Sequence, residues 1–150
     1  MSAMLLNKEK WTEFTGKLSG KKVMAPVRQG DRVRLAVIPE GEAPSLDFDN
    51  TLVPPKAVVF PQTETLYRYR LGQMEIETPQ LDEEVVLLGV RPCDARAMNL
   101  VERLFRWDVD DPYYLKRREL TTVVGLACNE PGLNCFCPSV GGGPASTEGL

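Results

Sequence analysis

Histidine is absent from this chain of 150 residues. Imidazole is required by Ser/His/Asp and Cys/His nucleophile systems, by histidine-ligated zinc and by iron–sulfur centres of the Rieske type. All of these sites are therefore excluded. Metal chemistry in this chain must use thiolates or carboxylates.

Excess positive charge and long apolar runs are also lacking. The net charge is −3, whereas binding to a phosphate backbone needs a basic surface. Apolar runs such as residues 85–90 are far shorter than a bilayer span, and the apolar stretch before Lys8 is too short for a signal peptide. We therefore expect a cytoplasmic protein with no nucleic-acid partner and no membrane insertion.

The remaining composition is that of an ordinary globular protein. Hydrophobic residues make up 43% of the chain and charged residues 26%, and the length suffices for a real core. We expect residues 1–150 to form a single domain.

The amino-terminal half predicts a helix followed by a hairpin. Apolar residues at mixed three- and four-residue spacing predict a helix over residues 5–19, ending before Gly20. Alternating residues over 23–38, with a turn at 29–31, predict the hairpin. The helix pattern depends on five side chains: Leu5, Leu6, Trp11, Phe14 and Leu18.

The middle of the chain has weaker patterns. Residues 39–61 are rich in proline and glycine and predict an irregular connection with one edge segment at 57–60. Residues 64–74 fit a strand or a helix equally well.

The carboxyl-terminal half predicts a βαβ unit. Residues 84–90 and 121–127 are apolar runs suited to buried strands. Between them we predict a helix capped by Asp94 and a second helix that begins near Asp111 and Pro112. The predicted fold class is α/β, with α+β as the alternative, and parallel strands in the βαβ unit.

This topology predicts where the four cysteines meet. Cys93 and Cys128 each follow a strand of the βαβ unit, and parallel strands have their carboxyl ends at one edge of the sheet, where open α/β sheets bind ligands. Cys135 and Cys137 lie in a loop rich in glycine and proline that can fold back to the same edge.

Four converging thiols suit one iron–sulfur cluster, [4Fe–4S] or [2Fe–2S], because such clusters are held by four thiolates. Cys93 also stands at a helix amino terminus, where unpaired N–H groups favour a thiolate. Three alternatives stay open: a four-cysteine zinc site in a non-redox interaction module, redox-active thiols, and inert buried cysteines. The chain lacks the paired knuckles typical of zinc sites and a thioredoxin-type Cys-x-x-Cys motif.

Several other residues have two interpretations each. Arg91 fits a hydrogen bond to a cluster sulfide or a salt bridge to Asp94 or Glu130, and with Arg96 it supplies the local positive charge. The remaining candidates are tyrosines that fit a core or a shield, arginines that fit a solvated or docking face, and a glycine run that fits a flexible loop: Tyr113, Tyr114, Arg117, Arg118 and residues 141–143.

An independent enzyme that binds a nucleotide or flavin at the sheet edge is a further hypothesis. The absence of a Gly-x-Gly-x-x-Gly fingerprint counts against it.

Several motifs together resemble a known family, which comprises iron–sulfur subunits of anaerobic sulfite reductase and the β subunit of sulfhydrogenase. The most specific are Arg-Pro-Cys-Asp at 91–94 and Cys-Phe-Cys at 135–137. The others are residues 54–56, 60–62, 88–90, 111–114, 117–118, 124–128 and 138–144.

The resemblance implies an electron-transfer protein that is itself non-catalytic. It would relay electrons through a [4Fe–4S] cluster between a flavin- and NAD(P)-linked partner and a catalytic subunit of hydrogenase or sulfite reductase type. The cluster ligands that it implies are Cys93, Cys128, Cys135 and Cys137. Members of the family usually continue into a ferredoxin-like segment with two further clusters, so we expect this chain to be the amino-terminal part of a longer subunit or a short relative of one.

Overall fold

The computed structural model describes residues 8–72 and 74–150. The described part contains three α-helices and six β-strands. In chain order they are α1 (Trp11–Gly16), β1 (Lys22–Gln29), β2 (Arg32–Val37), β3 (Arg68–Tyr69), β4 (Ile76–Glu77), β5 (Val85–Val90), α2 (Pro92–Phe105), α3 (Pro112–Leu120) and β6 (Thr121–Gly125). Short 3₁₀ helices lie at Lys8–Lys10, Pro55–Val58 and Cys137–Val140.

Four strands form the main sheet, in the order β2-β1-β5-β6. The β1–β2 pair is an antiparallel hairpin, as its alternating residues predict. The pairs β1–β5 and β5–β6 are parallel. The predicted α/β class and the parallel βαβ unit are therefore confirmed.

β5 is the central strand of the βαβ unit and is buried on both faces. Val86 and Leu88 pack with the side chains of α1, whereas Leu87 and Val90 face Ala95 of α2. Successive strand residues point to opposite faces, so helices on both sides of the sheet require the continuous apolar run seen in the sequence.

Gly89 interrupts the regular pairing of β5. The register with β6 shifts between Leu88 and Val90, and Gly89 has a φ of +73°. A Cβ at this position would lie 3.0 Å from Cγ of Pro26 in β1. A residue other than glycine would therefore be both strained and crowded at the point where the chain leaves the sheet for α2.

The two helices of the βαβ unit begin differently. α3 starts as predicted, with the Asp111 carboxylate accepting a 2.8 Å hydrogen bond from the Tyr114 backbone N–H. The prediction that Asp94 caps α2 is wrong, because Arg91 holds the N-cap position and Asp94 lies in the first turn. Pro92 at the first helical position explains the earlier start, since its fixed φ is suited to that place.

β6 differs from the predicted buried strand. It ends at Gly125 rather than Ala127, and only its first residue, Thr121, is buried. The reason is its place at the edge of the sheet, where it has one neighbouring strand.

The amino-terminal helix is shorter than its sequence pattern predicts. It ends at Gly16, and Leu5 and Leu6 lie outside the described residues. Its remaining apolar side chains, Trp11 and Phe14, pack on the face of the sheet opposite α2.

The middle segment forms two short elements. The predicted edge segment at 57–60 is wrong, because Pro55–Val58 is a 3₁₀ helix. Its neighbour Val59 is fully buried against Met98 and Tyr114, so packing on the helices replaces pairing with the sheet. Residues 64–74, where strand and helix both fit, contain β3, which pairs with β4.

Within the described residues, the helices are too short or too polar to cross a membrane.

Candidate metal centre

The ends of β5 and β6 bring two cysteine-bearing segments side by side. Val90 pairs with Gly125, and the Leu126 N–H donates a 2.8 Å hydrogen bond to the Val90 carbonyl. Cys93 lies three residues beyond the first of these strand ends, in the first turn of α2, and Cys128 lies three beyond the second. The predicted placement of both cysteines at one sheet edge is confirmed.

The electrostatics of Cys93 show which sulfurs are near it. Its pKa is raised to about 11, mainly by desolvation and then by the negative charges of Asp94, Cys137 and Cys128. The Asp94 backbone N–H, at the helix start, acts in the opposite direction and is the smaller effect. The expected help from the helix terminus is therefore present but outweighed. Three cysteine sulfurs lie within electrostatic reach of one another.

The loop that follows β6 positions Cys135 and Cys137. The Cys135 N–H donates a 3.1 Å hydrogen bond to the Gly132 carbonyl. Cys137 starts a 3₁₀ helix that ends at Gly141, whose φ of +72° favours glycine. The Gly142 N–H then donates a 2.8 Å bond back to the Cys137 carbonyl. This glycine run has a defined structural role beside the cysteine.

A cavity of about 370 Å³ lies between α2 and this loop. Cys93, Cys135 and Cys137 line it, and Cys128 lies behind it, near Cys93. Apolar side chains complete the wall and limit the access of water. They include Leu100, Phe136 and Val140.

Arg91 stabilises the segment just before Cys128. Its guanidinium donates to the Ala127 carbonyl at 3.0 Å and to the Phe48 carbonyl, and lies 4.4 Å from the centroid of the Phe48 ring. Burial raises the pKa of Asp94, and the charges of Lys56 and Arg91 partly oppose that rise. The Arg91 charge therefore acts on Asp94, while its hydrogen bonds go to the backbone.

The backbone around the cysteines is tied together at two further points. The Cys128 N–H donates a 2.9 Å hydrogen bond to the Pro144 carbonyl, which closes the loop containing Cys135 and Cys137. Arg96 of α2 donates to the Val140 carbonyl and forms an ion pair with Glu148. The loop is therefore held at both ends.

The donor set can be compared with the metals that it could hold. Within residues 8–72 and 74–150, the side chains form no ready-made group of three or more Cys, His, Asp or Glu residues around a single ion. Four thiols are the chemistry of an iron–sulfur cluster or a zinc site, and a cubane spaces its thiolates more widely than one zinc ion does. The donor chemistry fits a cluster, and the set of four ligands stays a prediction.

Other candidate residues fall into the core or into ion pairs. Tyr114 is buried, and its hydroxyl donates to the Met98 carbonyl at 3.1 Å, so its core interpretation is correct. The solvated-face interpretation of Arg117 and Arg118 is wrong. Arg117 lies 2.6 Å from Glu64, and Arg118 lies 3.6 Å from Glu102.

Sequence reasoning missed the contribution of the last residues. A Cβ at Gly149, which has a φ of +93°, would collide with the Ala95 carbonyl of α2. A Cβ at Gly125 would lie 2.6 Å from Cδ1 of Leu150. Residues 144–150 therefore pack on α2 and β6 beside the cavity. Their sequence has no periodicity, and Gly149 was the single available signal.

Comparison with known proteins identifies a relative. The chain is 29% identical over 142 residues to the protein named sulfhydrogenase 2 subunit beta of Pyrococcus furiosus. The match covers 94% of this chain and 42% of that protein, so the chain spans less than half the length of its relative. No family model and no solved structure matches the chain. The resemblance to the sulfhydrogenase β subunit family is confirmed.

Proposed function

We propose that this chain, a relative of the sulfhydrogenase β subunit, is an electron-transfer domain that binds one [4Fe–4S] cluster through Cys93, Cys128, Cys135 and Cys137. The observation that supports it best is the meeting of three sulfurs beside one cavity, with the fourth on the cavity wall. When bound, a cluster of this kind supplies reversible one-electron redox chemistry.

The residues of the chain prepare the site in three ways. Cys93 must lose the proton that its surroundings favour, which a cationic metal centre makes easier. Leu100, Phe136 and Val140 exclude water from one side of the cavity. Arg91 holds the backbone next to Cys128.

The outer face of α2 supports a role within a larger complex. Leu100, Leu104 and Trp107 follow Cys93 at three- and four-residue steps along the helix, or just beyond its end. Their side chains are 52%, 62% and 82% exposed. An apolar surface of this kind is typical of an interface with another protein.

The proposed partners are redox proteins of a cytoplasmic complex. On one side would be a flavin- and NAD(P)-linked protein, and on the other a catalytic subunit of hydrogenase or sulfite reductase type. In this arrangement residues 1–150 are one cluster-binding domain of a longer electron path and are not themselves catalytic.

Anaerobic purification followed by iron and acid-labile sulfide analysis tests this function. We expect about four irons and four sulfides per chain and a visible absorption that bleaches with dithionite. Cys128→Ser should lose most of both elements, whereas Ser139→Ala, in the same loop region, should retain them. Stoichiometric zinc without sulfide, in a colourless protein that unfolds with chelator, would instead establish a zinc-stabilised interaction module.

A further inference from the structure

Arg96 lies at the centre of the contacts that close the candidate site. It follows Cys93 by three residues, so both side chains are on neighbouring positions of one helix face. Its side chain lines the same cavity as Cys93, Cys135 and Cys137, and is 27% exposed.

The guanidinium contacts two segments that are distant in sequence. Nη1 donates a hydrogen bond to the carbonyl of Val140, three residues after Cys137. Nε lies 3.2 Å from Oε2 of Glu148, an ion pair rather than a well-aligned hydrogen bond. One side chain therefore joins α2, the cysteine loop and the last residues of the chain.

The loop is shaped to admit this side chain. A Cβ at Gly142 would lie 3.4 Å from Nη1 of Arg96 and 3.3 Å from the Cys137 carbonyl. A larger residue would press on both the guanidinium and the backbone of a candidate ligand. The glycine is therefore explained by the close approach of the arginine.

We propose that Arg96 is a positioning residue that holds the loop with Cys135 and Cys137 against the helix with Cys93, and that its charge raises the reduction potential of the centre. This inference rests on the proposed function. Arginine suits the task because its planar guanidinium donates in several fixed directions, here to a carbonyl and toward a carboxylate. Lysine would keep the charge but lose this fork.

The electrostatic part has a defined sign. Reduction adds negative charge to a cluster, so a nearby cation favours the reduced form and a nearby carboxylate opposes it. No lysine or arginine follows Arg118 in the sequence, which makes the helix arginines the local cations from this chain. Glu148 offsets part of the Arg96 charge.

Three variants and one control separate the clamp from the charge. Arg96→Gln removes both, Arg96→Lys removes the fork and keeps the charge, and Glu148→Gln removes the opposing carboxylate. Arg103→Gln is the control, because Arg103 lies on the same helix but outside the cavity lining.

Hydrogen exchange of the metal-free protein measures the clamp. We expect the amides of residues 135–150 to exchange about 10-fold faster in Arg96→Gln and Arg96→Lys, as for the loss of one charge-assisted hydrogen bond. Arg103→Gln should leave these rates unchanged. Unchanged exchange in both Arg96 variants would overturn the positioning role.

Redox titration of the loaded protein measures the charge. The midpoint potential should fall in Arg96→Gln, stay near the original value in Arg96→Lys and rise in Glu148→Gln. Equal potentials in all three variants would overturn the electrostatic role. A wild-type protein that binds neither iron nor sulfide would contradict the proposed function, while the exchange measurement would still decide the clamp.

Discussion

At the scale of single residues, the four cysteines differ in how firmly the chain holds them. Cys93 belongs to α2, and the Cys128 N–H is bonded to the Pro144 carbonyl, so regular structure or a backbone hydrogen bond fixes each of them. Cys135 and Cys137 depend on a turn and a 3₁₀ helix in the loop. Their position is therefore more sensitive to contacts such as those of Arg96.

Tyr114 provides a residue-scale prediction about stability. Tyr114→Phe removes a buried hydroxyl that donates to the Met98 carbonyl, so we expect the free energy of unfolding to fall by about 1 kcal/mol. Urea denaturation measures this loss. Tyr113→Phe is the matched control, because the hydroxyl of Tyr113 bonds to the Leu66 carbonyl at an exposed position. An equal loss in both variants would contradict the assigned core role.

At the scale of elements, the end of β5 decides where α2 begins. Gly89 shifts the register next to Val90, and Pro92 then starts the helix that contains Cys93. The position of the first candidate ligand is therefore set by the strand rather than by the loop.

Gly89→Ala tests this dependence. Its positive φ and the 3.0 Å approach to Pro26 predict a loss of about 2–3 kcal/mol in the free energy of unfolding. Gly20→Ala is the control for backbone strain alone, because Gly20 has a φ of +82° and open space around its Cβ position. Urea denaturation should show the larger loss at Gly89. Similar losses at both positions would mean that the contact with Pro26 contributes nothing.

Elements with strong local signals could be predicted from the sequence. β5 has a continuous apolar run, the hairpin alternates regularly, and α3 has aspartate and proline at its start. The 3₁₀ helix at Pro55–Val58 could not be predicted, because the burial of Val59 against distant helices determines it.

The candidate site was predictable only in part, for a related reason. Strand order follows from the βαβ pattern, and it places Cys93 and Cys128 together. The pair Arg96 and Glu148 is separated by most of the βαβ unit and the loop, and neither residue belongs to a recognisable motif. Long-range side-chain contacts of this kind leave no periodic signal in a single sequence.

At the scale of the whole molecule, the candidate site joins three parts of the chain. These are the start of α2, the segment after β6 and the loop that contains Cys135. A cofactor bound to all four cysteines would cross-link these parts and would bind the folded state alone.

Loading should therefore raise the melting temperature of the protein, since a ligand that binds the native state stabilises it. Anaerobic calorimetry of the metal-free and reconstituted forms measures the difference. Chelator added to the reconstituted form should return the transition to the metal-free value. Equal melting temperatures in the two forms would contradict a cofactor held by all three parts.

The parallel pairing of β5 and β6 also has a consequence for maturation. Val90 and Gly125 are paired before any metal arrives, so the sulfurs of Cys93 and Cys128 are attached to folded backbone close to one another. A cofactor delivered to this edge would meet half of its ligands already preorganised. The entropic cost of capture would fall on one loop, and release would begin there as well.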